Sequence, residues 1–140
     1  MTGCIVGWAH TKFGRLEGED AESLIVRVAR EALADAGVAA ADVDAVYVGF
    51  YNGGFSRQDF AASLVLQAHD DFRFKPVTRL ENACATGSAA IHQGLNCIEA
   101  RRGPIVLAVG VEKMTDTPGP EIGGILMKAS YLKEEAEIEG

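Results

Sequence analysis

The run IVLAVGV, residues 105–111, is a continuous apolar segment that follows the chain breakers Gly103 and Pro104. It lacks the alternation of apolar and polar residues that marks a half-exposed strand. Continuous apolar runs of this length are typical of strands covered on both faces, as in a parallel sheet with helices above and below it. The run therefore predicts a buried strand of an α/β protein.

The segments before this run alternate between strand-like and helix-like patterns. Strands are predicted at residues 4–8, 43–50 and 76–80. Apolar residues three and four positions apart predict helices at residues 21–36, about 57–69 and 85–101, the first ending at Gly37. The order β-α-β-α-β-α-β predicts the α/β class. After Met114, residues 115–120 predict a loop and residues 122–132 predict a helix. The run of charges that follows predicts a solvated helix face, formed by Glu134, Glu135, Glu137 and Glu139.

Composition and charge argue against a membrane protein and against a nucleic-acid-binding protein. The chain has 140 residues, 48% of them hydrophobic and 24% charged, and no apolar run approaches the ~20 residues of a membrane span. A net charge of −7 argues against a nucleic-acid-binding protein, which needs a basic patch. The first residues show no secretory signal, so a cytoplasmic location is expected. The three cysteines are expected to be reduced thiols, with no spacing that indicates a metal site.

One cysteine has unusual neighbours. Cys84 lies in ENACATGSAA, residues 81–90, among small side chains, whereas Cys4 and Cys97 are interpreted as packing residues. Between a predicted strand and a predicted helix, its thiol would lie at the helix N-terminus, where the dipole favours an anion and the thiolate is the nucleophile. Small residues such as Gly87 leave space for a substrate carbonyl, and backbone N–H groups of the turn are candidates to bind the oxyanion. The residues alone also allow an inert structural cysteine.

A nucleophilic cysteine needs a base, and the candidates are His10, His69 and His92. His92 lies on the same predicted helix, ~12 Å along its axis, which excludes contact with Cys84. No local motif places His10 or His69 beside the thiol. The sequence therefore predicts a nucleophile and leaves its base unassigned.

Three segments together resemble the thiolases, and more narrowly the branch related to sterol carrier protein x, often called acetyl-CoA acetyltransferases. They are IVGWAHTKFG at residues 5–14, NACATGSAA at 82–90 and VLAVGVEKM at 106–114. The resemblance implies the N-terminal half of an αβαβα sandwich, with an incomplete core at residues 1–114 and the start of an inserted loop region at 115–140. Two positions depart from the pattern that many thiolases share, since Glu81 replaces an asparagine and Thr86 a serine.

The resemblance also implies a function. Cys84 would accept an acyl group from acyl-CoA and pass it to an acetyl-CoA carbanion, or to free CoA in the degradative direction. Met114 and Gly87 would lie at the substrate site, with coenzyme A thioesters as substrates and no permanently bound cofactor. In such enzymes a histidine and a second cysteine come from the C-terminal half, so the 140 residues alone are expected to be inactive.

Two alternatives remain at this point. One is a condensing enzyme of the same fold, such as a ketoacyl synthase, and the other is a thiolase-like subunit that binds acyl-CoA or a partner without catalysis. A sheet without all its covering elements exposes apolar surface. We therefore expect a homo-oligomer, or association with a chain that supplies the C-terminal half.

Overall fold

A computed structural model describes residues 3–134 of the chain. In that range the main elements are α1 (Ala21–Ala36), β1 (Ala45–Gly49), β2 (Val77–Leu80), α2 (Thr86–Glu99), β3 (Val106–Gly110) and α3 (Gly119–Leu126). Short 3₁₀ helices connect them at Ala40–Asp42, Ala61–Gln67, Asp70–Phe72, Ala83–Ala85, Met114–Asp116 and Met127–Ala129. The predicted α/β class is confirmed.

The three strands form a parallel sheet in the order β2-β1-β3. The chain crosses from β1 to β2 in one direction and from β2 past β1 to β3 in the other. Because such crossovers are right-handed, the connecting helical segments lie on opposite faces of the sheet. All three strands have their carboxyl ends at one edge, where ligands bind in open α/β sheets.

Helix α1 forms where the sequence predicts it, because both of its ends are capped. The side chains of Asp20 and Ser23 each accept a hydrogen bond from the other's backbone N–H at the N-terminus. Gly37 ends the helix in the left-handed conformation, with φ of 64°. The buried residues Ile25 and Ala29 face the core, so amphipathic spacing and end signals agree.

The two faces of β1 have different roles. Val46, Val48 and Phe50 are buried in a core that also contains residues of α1 and of the 3₁₀ helix Ala61–Gln67. The opposite face lies against α2, and Gly49 is in close contact with Thr86 at the first turn of that helix. The sheet is therefore covered on both faces at β1.

The run at residues 105–111 forms β3, as predicted, but its predicted burial on both faces is wrong. Ala108 and Gly110 on one face are exposed, because no helix fully covers that side of the edge strand.

The predicted strand at residues 4–8 is wrong. No strand is assigned there, and the side chains of Ile5 and Val6 are 80% and 67% exposed. The segment lines an apolar cavity of about 550 Å³, together with β3, α1 and α2. Its Trp8 N–H donates to Asp35 Oδ2 at 2.9 Å and not to a neighbouring strand. A strand-like sequence without a paired backbone forms no sheet.

Two helix predictions need correction. Instead of an α-helix at about 57–69, a 3₁₀ helix spans Ala61–Gln67. Phe60 precedes it with φ of 52°, a left-handed conformation that no α-helix continues through. The helix predicted at 122–132 begins earlier, at Gly119, because Pro120 favours a helical start, and Met127–Ala129 continues as a 3₁₀ turn.

Further predictions concern cysteines and the charged end of the chain. Cys97 is buried as predicted, but Cys4 is exposed, because it lies on the unpaired N-terminal segment. Glu134 is exposed, and the other three glutamates of that charged run lie outside the described residues. Among residues 3–134, each helix is too short or too polar to cross a bilayer.

Candidate active site

Cys84 lies in the connection between β2 and α2. The strand ends at Leu80, a 3₁₀ turn covers Ala83–Ala85, and α2 begins at Thr86. The Cys84 side chain is exposed. The structure therefore places the thiol between a strand and a helix, as predicted from the sequence, and accessible to a ligand.

A cavity of about 930 Å³ adjoins this turn at the carboxyl edge of the sheet. Its wall combines the connection that carries Cys84, the residues after β1 and β3, the loop before α1 and the end of α3. Residues of particular interest in the wall are His10, Tyr51, Cys84, Gly87, Glu112 and Met114. All three site residues predicted from the sequence, Cys84, Gly87 and Met114, therefore line one cavity.

The surroundings of Cys84 are open because the neighbouring side chains are small. A Cβ added at Gly87 would meet no atom within 4 Å. Ala85 and Ser88 are exposed as well. A planar carbonyl group can therefore approach the thiol without displacing a side chain.

The N-terminus of α2 supplies the local electrostatics. Its N-cap residue, Ala85, provides no side-chain hydrogen bond to the helix. Backbone N–H groups of a helix's first turn have no intrahelical partner, and the dipole is positive at this end. Both features favour a negative charge next to this helix end, such as an oxyanion formed beside Cys84.

The three histidines are separated by the fold. His10 lines the Cys84 cavity, and its ring packs against Phe13 with 4.6 Å between centroids. His69 instead accepts a hydrogen bond from the Asp71 N–H at 3.2 Å, and His92 is exposed on α2. Within residues 3–134 no hydrogen bond joins Cys84 to a histidine. The tertiary structure thus places His10 in the cavity wall, a location that the sequence did not predict.

Glu112 is the second residue after β3, within the VLAVGVEKM segment of the resemblance, and the sequence analysis gave it no role at the site. Its Oε2 accepts the Asn52 N–H at 3.2 Å, whereas Oε1 is buried without a hydrogen-bond partner among the described residues. Burial raises the pKa of Glu112, opposed by the N–H groups of Asn52 and Tyr51 and by the charge of Arg79. The available signal was an acidic residue within two positions of the end of a predicted strand, because such a residue falls at the carboxyl edge of the sheet.

Tyr51 connects α3 to the cavity. Its hydroxyl donates to the Ile125 carbonyl oxygen at 2.9 Å. Burial raises the pKa of Tyr51, and the negative charges of Glu81, Glu112 and Cys84 raise it further. The phenol is therefore a neutral donor that fixes α3 beside the cavity.

Lys113 fixes the opposite wall. The side chain is 7% exposed, and its Nζ donates to the Arg15 carbonyl oxygen at 2.7 Å. The same ammonium bonds Thr115 Oγ1 at 2.8 Å and Asp116 Oδ1 at 3.0 Å. A charge buried in this way is stable because its donors are all paired. Lys113 thus holds the loop before α1 against the segment that follows β3.

These features define a class: a parallel α/β protein with an accessible cysteine where a strand meets a helix N-terminus, at the carboxyl edge of its sheet. Residues 4–138 match the family described as thiolase, N-terminal domain. The chain belongs to the thiolase family.

Several curated proteins are similar in sequence to this chain over part of their length. The chain is 39% identical over 117 residues to an acetyl-CoA acetyltransferase of Methanothermobacter thermautotrophicus, covering 83% of this chain and 30% of that protein. It is 41% identical over 113 residues to the protein of the same name in Methanocaldococcus jannaschii, covering 80% and 29%. It is 30% identical over 138 residues to the sterol carrier protein 2 of Bos taurus, covering 96% of this chain and 24% of that protein. The chain thus spans about 30% of the length of the two archaeal relatives.

A solved structure shows the same fold. The 3-oxoacyl-[acyl-carrier-protein] synthase III of Aquifex aeolicus superposes with a TM-score of 0.59 and 21% identity, over 71% of this chain and 32% of that one. At this identity the likeness concerns the fold alone.

Proposed function

We propose that the chain carries the nucleophile of a thiolase-type acyltransferase, with Cys84 as the acyl acceptor. The observation that carries the proposal is an exposed thiol beside a helix N-terminus, on the wall of a cavity of about 930 Å³. The archaeal relatives named acetyl-CoA acetyltransferase support a coenzyme A thioester as the acyl donor.

The first step is a thioester exchange. The Cys84 thiolate attacks the carbonyl carbon of acyl-CoA, the new Sγ–C bond forms, and the carbonyl oxygen becomes an oxyanion. The oxyanion then collapses, the bond between carbon and the CoA sulfur breaks, and CoA leaves as a thiolate that takes up a proton. The Thr86 N–H already donates to the Ala83 carbonyl oxygen. The candidate donors to the oxyanion are therefore the next backbone N–H groups in the first turn of α2, which have no partner within the helix.

The second step transfers the acyl group. In synthesis the acyl-cysteine is attacked by the carbanion of acetyl-CoA, and in degradation by free CoA. The base and acid for these steps are assigned to a C-terminal half, which the relatives' greater length accommodates. Coenzyme A thioesters are substrates in this scheme, and the chemistry calls for no resident cofactor.

Gly87 and Met114 are proposed substrate-site residues. Gly87 leaves open space beside the thiol, and Met114 supplies an apolar wall of the same cavity. We assign the core to residues 1–114 and an inserted region to 115–140. The hydrogen bond from Tyr51 to Ile125 supports a role for that region in covering the cavity.

Mass spectrometry of the full-length enzyme after incubation with acetyl-CoA tests whether Cys84 is the nucleophile. We expect one acetyl group on the peptide that contains Cys84, and none after Cys84→Ala. Cys4→Ala is the matched control, because Cys4 is also exposed but lies on the unpaired N-terminal segment. Equal acetylation of Cys4 and Cys84, or none on Cys84 in the full-length enzyme, would overturn the assignment.

The same experiment separates the alternatives. A subunit that only binds acyl-CoA would retain the ligand without a covalent bond. A ketoacyl synthase would take the acyl group from acyl carrier protein in preference to acetyl-CoA. The fold likeness to the Aquifex protein does not favour that donor, because 21% identity shows the fold alone.

A further inference from the structure

The turn that carries Cys84 has a strained residue next to the thiol. Ala83 has φ of 46°, in the left-handed region that favours glycine. A residue with a Cβ is held in this conformation only when its surroundings enforce it. The cause must therefore lie in the contacts of the turn.

Thr86 makes those contacts. Its hydroxyl accepts the Asn82 N–H at 2.8 Å and donates to the Ala83 carbonyl oxygen at 2.6 Å. Both partners precede Cys84 in the chain, so the side chain of Thr86 closes a ring around the cysteine. The Glu81 carboxylate accepts the Ala83 N–H and adds a third bond to the same turn.

Burial prevents the hydroxyl of Thr86 from turning away. The residue is 7% exposed, and its methyl group lies against Gly49 of the central strand. A Cβ at Gly49 would be 3.1 Å from Thr86 Cγ2, so the absence of a side chain there creates the space that Thr86 fills. The contact between Thr86 and Gly49 thus fixes the position of the turn relative to the sheet.

Helix capping does not account for these bonds. A capping hydroxyl accepts from an N–H two or three residues later in the helix. Thr86 instead bonds backwards, to residues 82 and 83, and the N-cap is Ala85. Its role is therefore in the turn and not in the helix end.

We infer that Thr86 is a positioning residue, which holds the strained turn at Ala83 and thereby directs the Cys84 thiol into the cavity at the N-terminus of α2. The inference deepens the proposed function, since it concerns the presentation of the same nucleophile. It is measurable without an acyl substrate.

The test compares Thr86→Val, which keeps the shape and removes the hydroxyl, with Thr86→Ser, which keeps the hydroxyl. The measurement is the rate of iodoacetamide alkylation at Cys84, relative to Cys4 in the same molecules, with folding checked by circular dichroism. We expect Thr86→Val to lower the relative rate roughly tenfold, the order expected when hydrogen bonds of this kind are lost. Thr86→Ser should restore the wild-type rate.

A merely structural role would lower the unfolding temperature and leave the ratio of Cys84 to Cys4 alkylation rates unchanged. That result in folded Thr86→Val would overturn the inference. If this variant does not fold, the double variant Ala83→Gly with Thr86→Val replaces it, because glycine adopts the left-handed conformation without strain. Its relative rate at Cys84 must then fall below that of Ala83→Gly alone, and an equal rate would refute the positioning role.

Failure of the proposed function gives a different result. In that case wild-type Cys84 of the full-length enzyme takes no acetyl group from acetyl-CoA, whatever the effect of Thr86 on alkylation. A normally acetylated Cys84 with no dependence on Thr86 refutes only the positioning role.

Discussion

Gly49 and Thr86 are in close contact: a Cβ at Gly49 would lie 3.0 Å from the Thr86 carbonyl oxygen and 3.1 Å from its Cγ2. Gly49 is the last residue of the central strand, and Thr86 is the first residue of α2. The helix therefore begins so close to the sheet that a side chain at position 49 would force Thr86 to move. This contact sets the height of the Cys84 turn above the carboxyl edge.

Gly49→Ala should destabilise the protein by about 1–3 kcal/mol, since the added methyl group overpacks a tight contact. It should also slow alkylation of Cys84 by displacing the turn. Urea unfolding and thiol alkylation measure the two effects.

The matched control is Gly110→Ala, on the neighbouring strand in the same register. Gly110 is paired with Gly49, but a Cβ there would meet nothing within 4 Å. Equal losses of unfolding free energy in the two variants would show that the Gly49 contact is not tight.

Glu112 predicts a pH dependence of stability. Its pKa in the folded chain lies above the ordinary value of 4.5 because of burial. In the window above pH 4.5 the folded chain keeps a proton that the unfolded chain releases, so the free energy of unfolding falls as the pH rises through this window. Above the folded pKa this contribution becomes constant. Glu112→Gln should therefore show a smaller fall in unfolding temperature across the window, and parallel curves for both proteins would contradict this.

The conformations of two glycines, one at the end of α1 and one inside α3, predict opposite effects of substitution by alanine on stability. Gly37→Ala should cost about 1 kcal/mol, because φ is 64° there, and Gly37→Asn should cost less. Gly123→Ala, at an open position inside α3, should instead stabilise the chain by about 0.5–1 kcal/mol. Urea denaturation gives both signs, and a stabilising Gly37→Ala would be inconsistent with the left-handed cap.

The 140-residue chain alone should self-associate and show no thiolase turnover. Ile5 and Trp8 are 80% and 70% exposed, and β3 is an edge strand of the described sheet, beside an apolar cavity of about 550 Å³. Unpaired edges and apolar patches promote association. Size-exclusion chromatography with light scattering measures it, and replacing both residues by serine should reduce it. A clean monomer that turns over acetoacetyl-CoA in an ultraviolet assay would refute the prediction.

Local patterns in the sequence were sufficient for most of the fold. The spacing of Leu24, Ile25 and Val28 with Gly37 at the end predicted α1, because the apolar face and the cap are properties of neighbouring residues. The run at 105–111 predicted a strand for the same reason, but burial on both its faces was not found, since Ala108 and Gly110 are exposed. The failures occur where a partner decides the conformation. Residues 4–8 have the composition of a strand, but no strand pairs with them, and Phe60 adopts a left-handed conformation that its residue type does not favour.

Some features of the site were likewise predictable from the sequence, and others were not. By itself the sequence determined that Cys84 lies between a strand and a helix among small side chains, since the order of elements and the composition of one short segment are local properties. Only the tertiary structure decided that His10 and Glu112 share a cavity with that thiol, and that Thr86 rests against Gly49. The reason is that these residues are far apart along the chain, and their contacts depend on strand order and crossover direction, which bring the carboxyl ends of separate strands to one edge.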